Sequence, residues 1–168
     1  MSFGRRTACA AILALTAVAC DPVTADAVAA LGGELPGTRP GPLHRAGQPC
    51  LLCHDGALGD PVEFSVAGTL FVSADDMQPA SDARVEITAA DRTRTTFTTN
   101  AAGNFYVEAA RYNPAFPLQV SVSYRGRTIT MDSLIGRDGA CAACHAEPAG
   151  PRSPGHVYAL DPDAGVSP

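Results

Sequence analysis

The chain has 168 residues, a formal net charge of −5 and 46% hydrophobic residues with no tryptophan. That is enough for one modest domain with a small core, and too little for two. Its 12 basic side chains, all arginine, face 17 acids; such a surface excludes nucleic acid and anionic lipid as natural partners and steers cationic proteins towards it.

At the amino terminus Arg5 and Arg6 precede an apolar run from Ala8 to Ala19, which predicts an export signal over residues 1–19, too short to span a membrane. The run closes in Ala17-Val18-Ala19-Cys20, which resembles the bacterial lipobox. That resemblance implies a diacylated Cys20 as the new first residue, although Ala17-Val18-Ala19 is equally an A-x-A site for ordinary signal peptidase. Cysteine counting supports the lipid: Cys9 leaves with the signal, four cysteines fall in paired motifs, and Cys20 would otherwise be a lone thiol in an oxidising compartment. The expected location is the cell envelope, on the periplasmic face or at the outer membrane. Residues 20–47 read as a tether rich in proline and glycine. Only Ala25 to Leu31 looks helical there, after a Thr24 cap and before Gly32-Gly33. A flexible segment of about 25 residues reaches roughly 25 to 30 Å.

Two pentapeptides of pattern CxxCH follow, CLLCH at Cys50 to His54 in a segment spanning 48–61, and CAACH at Cys141 to His145 in a segment spanning 135–168. This is the pattern of c-type haem attachment. Two thiols three positions apart can close thioether bonds to the vinyl groups of one haem, and the adjacent imidazole faces the iron. Cys50, Cys53 and His54 would hold one haem c, and Cys141, Cys144 and His145 a second. Zinc knuckles pooling four thiolates, or disulfides, are the competing readings. A thioredoxin-type site would need a βαβ context that the sequence lacks. Two further histidines, His44 and His156, lie close in sequence to the motifs and are the candidate distal iron ligands. Met131 and Met77 compete with them, although Met131 falls in phase with Ile129 on a strand and reads as core. Tyr106, Tyr112, Tyr124 and Tyr158 are candidates to flank a haem.

Between the motifs the apolar period becomes two, in Phe64-Val66, Leu70-Val72, Val85-Ile87, Leu118 to Tyr124 and Ile129-Met131. Turn signals at Ala90 to Arg92, Asn100 to Asn104 and Arg125-Gly126 separate the runs. The pattern predicts an all-β domain over 62–134, a small antiparallel sandwich of six strands at 62–72, 83–90, 93–99, 104–109, 117–124 and 127–133, flanked by irregular haem-binding segments. With six strands that reverse direction each time, both motifs should fall at one pole.

The runs VAGTLFV and ARVEITAADRTRTTFTTNAAGNFYV resemble the prealbumin-type sandwich called the carboxypeptidase regulatory-like domain. The whole order, HRAGQPCLLCH, sandwich, then GACAACH, resembles small exported dihaem cytochromes. That resemblance implies a non-catalytic scaffold carrying single electrons between redox proteins of the envelope, held to the membrane through lipid on Cys20, with no small-molecule substrate. A haem enzyme or gas sensor with one open iron site, and an envelope binding module with a CxxC zinc site, are the alternatives.

Overall fold

The computed structural model describes residues 22–34, 36–56 and 62–160. The export signal, Cys20, residues 57–61 and the last eight residues therefore lie outside the described residues. Helix α1 spans Pro22–Ala30, beginning at Pro22 rather than at Ala25. Proline suits the first helical turn because its missing N–H is needed by no partner there, and Thr24 consequently sits inside the helix rather than capping it.

Among the described residues seven strands follow: β1 Phe64–Phe71, β2 Arg84–Thr88, β3 Arg94–Thr98, β4 Asn104–Glu108, β5 Gln119–Tyr124, β6 Arg127–Thr130 and β7 Val157–Tyr158. The fold is all-β, with a three-stranded sheet in order β4-β1-β7 and a four-stranded sheet in order β3-β2-β5-β6. Each of the six strands expected between the motifs is present. Their alternation is that of strands with one wet face. Val85 and Ile87 on β2 and Val120 and Val122 on β5 turn inwards to meet Val66, Leu70 and Leu118 in the core. On the outer face of the β5–β6 pair, Ser121 meets Thr130 at 2.9 Å and Ser123 meets Thr128 at 2.8 Å, cross-strand hydroxyl pairs that fix the register. Arg125 and Gly126, at φ of 46° and 80°, form the two-residue turn whose twist matches a hairpin.

The sandwich departs from the expected one in three places. First, the seventh strand, in a tail expected to be irregular, runs parallel to β1 with Leu70 opposite Val157 and Phe71 opposite Tyr158. An unpaired edge on β1 would leave its N–H and C=O groups exposed. The chain occupies that edge in two steps, a bridge of Ala140 to Ala67 and then β7, with the second CxxCH motif looped out between them. Second, Arg127 Nη1 donates to Leu160 O at 2.9 Å, tying the same tail to the other sheet. Third, the end of the tether is docked. Asn100 Nδ2 donates to Pro42 O at 2.6 Å, Asn104 Nδ2 donates to His44 O at 3.0 Å, and Gly47 N donates to Thr69 Oγ1 at 2.8 Å. Backbone groups that no ladder uses still need partners, and here side chains of the sandwich supply them.

Candidate functional site

The two CxxCH motifs fold into the same local structure. Each is a single 3-10 turn, Cys50–Leu52 and Cys141–Ala143. Each is entered from an extended residue (Pro49 at φ −74°, ψ 92°; Ala140 at φ −81°, ψ 104°) and left through a helical cysteine (Cys53 at φ −106°, ψ −31°; Cys144 at φ −111°, ψ −35°). The first carbonyl of each accepts two N–H groups, Cys50 O from Cys53 and His54 and Cys141 O from Cys144 and His145. This closure puts both cysteines and the histidine of a motif on one tight turn.

Each motif histidine is oriented in the same way. His54 Nδ1 lies 3.0 Å from Val62 O, and His145 Nδ1 lies 3.2 Å from Gly155 O. A carbonyl oxygen can only accept, so Nδ1 carries the proton and Nε2 is left with its lone pair, the tautomer a metal-bound histidine needs. Burial, against the opposing hydrogen bond to Gly155 and helped by repulsion from His156, lowers the pKa of His145 and so favours the neutral ring.

Strand β1 brings the motifs together. All of Val66 to Phe71 is buried, because the strand is covered on both faces. Val66, Gly68 and Leu70 face the core, and a Cβ at Gly68 would stand 2.7 Å from Cys141 Sγ. On the opposite face Thr69 holds Gly47 and Phe71 packs on His156. Both turns lie against β1, and Cys50 is near enough to Cys141 to help raise the pKa of its thiol. The meeting is thus made along β1 and not at a pole of the sandwich, because the first segment folds back over the sheet and the second is an insertion in its edge.

Thiol environments differ. Burial, reinforced by Cys50, pushes the Cys141 thiol up to about 12; the residue keeps some exposed surface while its sulfur is enclosed against Gly68. Burial also raises the pKa of Cys50. Cys144 is exposed, and none of the four is in a disulfide.

The remaining sequence candidates separate. His44 stacks on His54 with ring centroids 5.9 Å apart and planes 20° apart, which makes it the neighbour of the first motif histidine. Its Nδ1, however, accepts from Gly41 N at 3.2 Å, so binding through Nε2 requires that contact to give way. His156 stays close enough to His145 to help lower its pKa, while its ring is packed on the β1 side. Its ring packs on Phe71 with centroids 4.7 Å apart, and Nε2 lies 3.3 Å from where a Cβ on Gly47 would be. Met77 is exposed in its loop, whereas Met131 lines an apolar cleft between the sheets together with Leu70, Phe105, Val120, Cys141 and His145. Tyr106 ends a run of rings from His54 through Phe64, with centroids 4.4 and 4.8 Å apart. Tyr158 also lines the cleft, while Tyr112 and Tyr124 pack on the core.

Each motif sets two thiols and one imidazole on a single turn, the donor set that a covalently held haem would use. Among the described residues no group of three or more His, Cys, Asp and Glu side chains gathers as a metal site. The cleft beside Cys141 encloses about 50 Å³, room for the edge of a porphyrin and not for the whole ring.

Sequence reading missed Thr69, Asn104 and Glu147, which position the motifs without ligating anything. Thr69 Oγ1 donates to Asn104 Oδ1 at 2.7 Å. Glu147 Oε1 accepts from Tyr158 Oη at 2.9 Å and from His156 N at 3.3 Å, closing the loop that carries His145. A threonine among the apolar residues of β1 was the one available signal. No family model matches the chain, and no curated protein or solved structure is similar to it.

Proposed function

We propose that the protein is an exported dihaem c-type cytochrome that passes single electrons between redox proteins of the cell envelope, anchored through lipid on Cys20. The observation that carries this is the duplication. Two CxxCH pentapeptides far apart in sequence adopt the same turn, each with Nδ1 of its histidine donating to a backbone carbonyl. Cys50, Cys53 and His54 would hold one haem and Cys141, Cys144 and His145 the other, each haem supplying a one-electron iron couple whose potential depends on axial ligand and burial.

The chain's own residues orient and shield. Val62 O and Gly155 O set the two imidazoles, Thr69 and Asn104 clamp the first segment to β1, and Glu147 with Ser153 shapes the second loop, where Ser153 Oγ donates to Ala146 O at 2.6 Å. The acidic surface favours cationic partners.

The test is the intact mass of denatured protein from a host with cytochrome c maturation. Two covalent haems are expected, and Cys53→Ser and Cys144→Ser should each weaken or abolish attachment at one site. No covalent haem, with zinc bound instead, would refute the reading. Carbon monoxide binding to the reduced wild type would point instead to a haem enzyme or gas sensor with an open iron. Cys20→Ala should release the protein from the membrane fraction or block its processing.

A further inference from the structure

The outer face of the three-stranded sheet carries an aromatic feature that the core does not use. We propose that the patch around Tyr106, on the edge strand β4, is where a cationic electron-transfer protein docks beside the first motif. This rests on the haem reading above and adds the kind of partner and its place.

Four rings stand one on another here. His44, His54, Phe64 and Tyr106 follow with centroids 5.9, 4.4 and 4.8 Å apart and successive planes within 26° of parallel. The run leads outwards. On β4 the side chains of Phe105 and Val107 turn into the core, whereas Tyr106 between them is 37% exposed. A stack that served the core alone would stay inside it; this one passes from the motif histidine to solvent.

Apolar exposure gathers at the same place. Single exposed apolar residues are ordinary, and a cluster is what marks a contact surface. Among the described residues the exposed large hydrophobics are Leu43, Val62, Met77, Tyr106 and Leu134. Three of them adjoin the stack. Tyr106 is its last ring, and the carbonyl of Val62 accepts from His54 Nδ1 at 3.0 Å. Leu43 precedes His44, whose carbonyl accepts at 3.0 Å from Nδ2 of Asn104, two residues before Tyr106 on the same face of β4.

Charge decides the occupant. Asp55 follows His54, Glu63 precedes Phe64, and Glu108 stands opposite Phe64 in the register of β1 with β4. The Glu63 carboxyl reaches back to the turn after the motif, where its Oε2 lies 3.6 Å from the position of a Cβ on Gly56. The base beside His44 is drawn away from the patch: Arg45 Nη1 donates to Gly32 O at 3.1 Å and to Gln48 Oε1 at 2.8 Å, and its Nε lies 4.0 Å from Glu34 Oε2. The first base after β4 is Arg111. An apolar centre with three carboxylates beside it complements a protein surface that sets lysine and arginine around an apolar patch, and it steers such a protein into place. Exchange there moves one electron between the first haem and the partner's one-electron centre; no bond forms or breaks and no proton moves.

The test uses the mature protein carrying both haems and, as probe, an oxidised basic monohaem cytochrome c of more positive potential, with an acidic one as control. The reduced protein should reduce the basic cytochrome faster than the acidic one, at a rate that falls as salt rises. Glu63→Gln together with Glu108→Gln should slow this exchange about threefold or more at low salt. Tyr106→Ala should weaken binding about tenfold, and Tyr106→Phe should keep it, with the haem spectrum of every variant unchanged. Leu134→Ser and Met77→Ser should have no effect. Adding the basic cytochrome should shift the amide signals of residues 62–64 and 104–108. Exchange that ignores both Tyr106→Ala and the paired glutamate change, shifts that gather elsewhere, or an equal effect of Leu134→Ser overturns the docking site and leaves the haem reading standing. Denatured mass without haem overturns that reading, and this inference with it.

Discussion

Gly68 on β1 lies directly beneath Cys141: a Cβ at position 68 would stand 2.7 Å from both Cβ and Sγ of the cysteine and 3.1 Å from Cε1 of Phe105. No real side chain tolerates the first two contacts, so any residue larger than glycine must push the second motif off the strand. Gly68→Ala should cost about 1–3 kcal/mol, the usual range for overpacking. It should also lower haem attachment at Cys141 and Cys144 while sparing Cys50 and Cys53. Urea unfolding and peptide mass mapping of the two motifs measure both effects.

Thr69 and Asn104 should matter to the first motif in the same selective way. Both are 6% exposed, and the threonine hydroxyl joins Gly47 N to Asn104 Oδ1. Thr69→Val keeps the shape but leaves that N–H and that carbonyl oxygen unpaired, which costs about 1–3 kcal/mol. Faster proteolysis between residues 41 and 48, with the second segment unaffected, is the expected signature.

Thiol chemistry of haem-free protein should follow burial. Cys144 should react first with a maleimide and Cys141 last, because the exposed thiol is accessible and the enclosed one stays protonated. The sign of the pH effect follows from a folded-state value of about 12 against 9.0 for a free thiol. Below 9 both states hold the proton and stability is unaffected. Between 9 and 12 the unfolded chain releases it while the folded chain keeps it, so stability falls as pH rises. Denaturation midpoints between pH 8 and 11 should show this fall, and Cys141→Ser should flatten it.

With haem held at the first motif as proposed, His44→Ala should open its iron to carbon monoxide, seen in the reduced spectrum, and leave the second site unchanged. The Gly41 contact to His44 Nδ1 adds a second expectation. Holo protein should lose it, so the Gly41 amide should exchange faster with haem than without. An unchanged spectrum in His44→Ala removes this residue from the site.

Much of this was legible in the chain because its signals are local. Period-two alternation belongs to the single strand, so Val85-Ile87 and Val120-Val122 declare their inward faces whatever they pair with. Arg125-Gly126 declares its hairpin, and CxxCH declares its own turn, since the bonds that close it run between residues three and four apart.

Tertiary structure alone decided where those parts meet. Val157-Tyr158 carries no strand signal; it becomes one because β1 has an edge to fill, a need that arises only once the sheet exists. Sequence proximity linked His156 to the second motif, and the β7 pairing adds what proximity could not show, that its ring packs against Phe71 of β1. Met131 reads as core from its phase with Ile129. It lines a cleft with His145 because two sheets, whose strands are remote in sequence, close over that one space, and long-range closure leaves no trace in a local pattern.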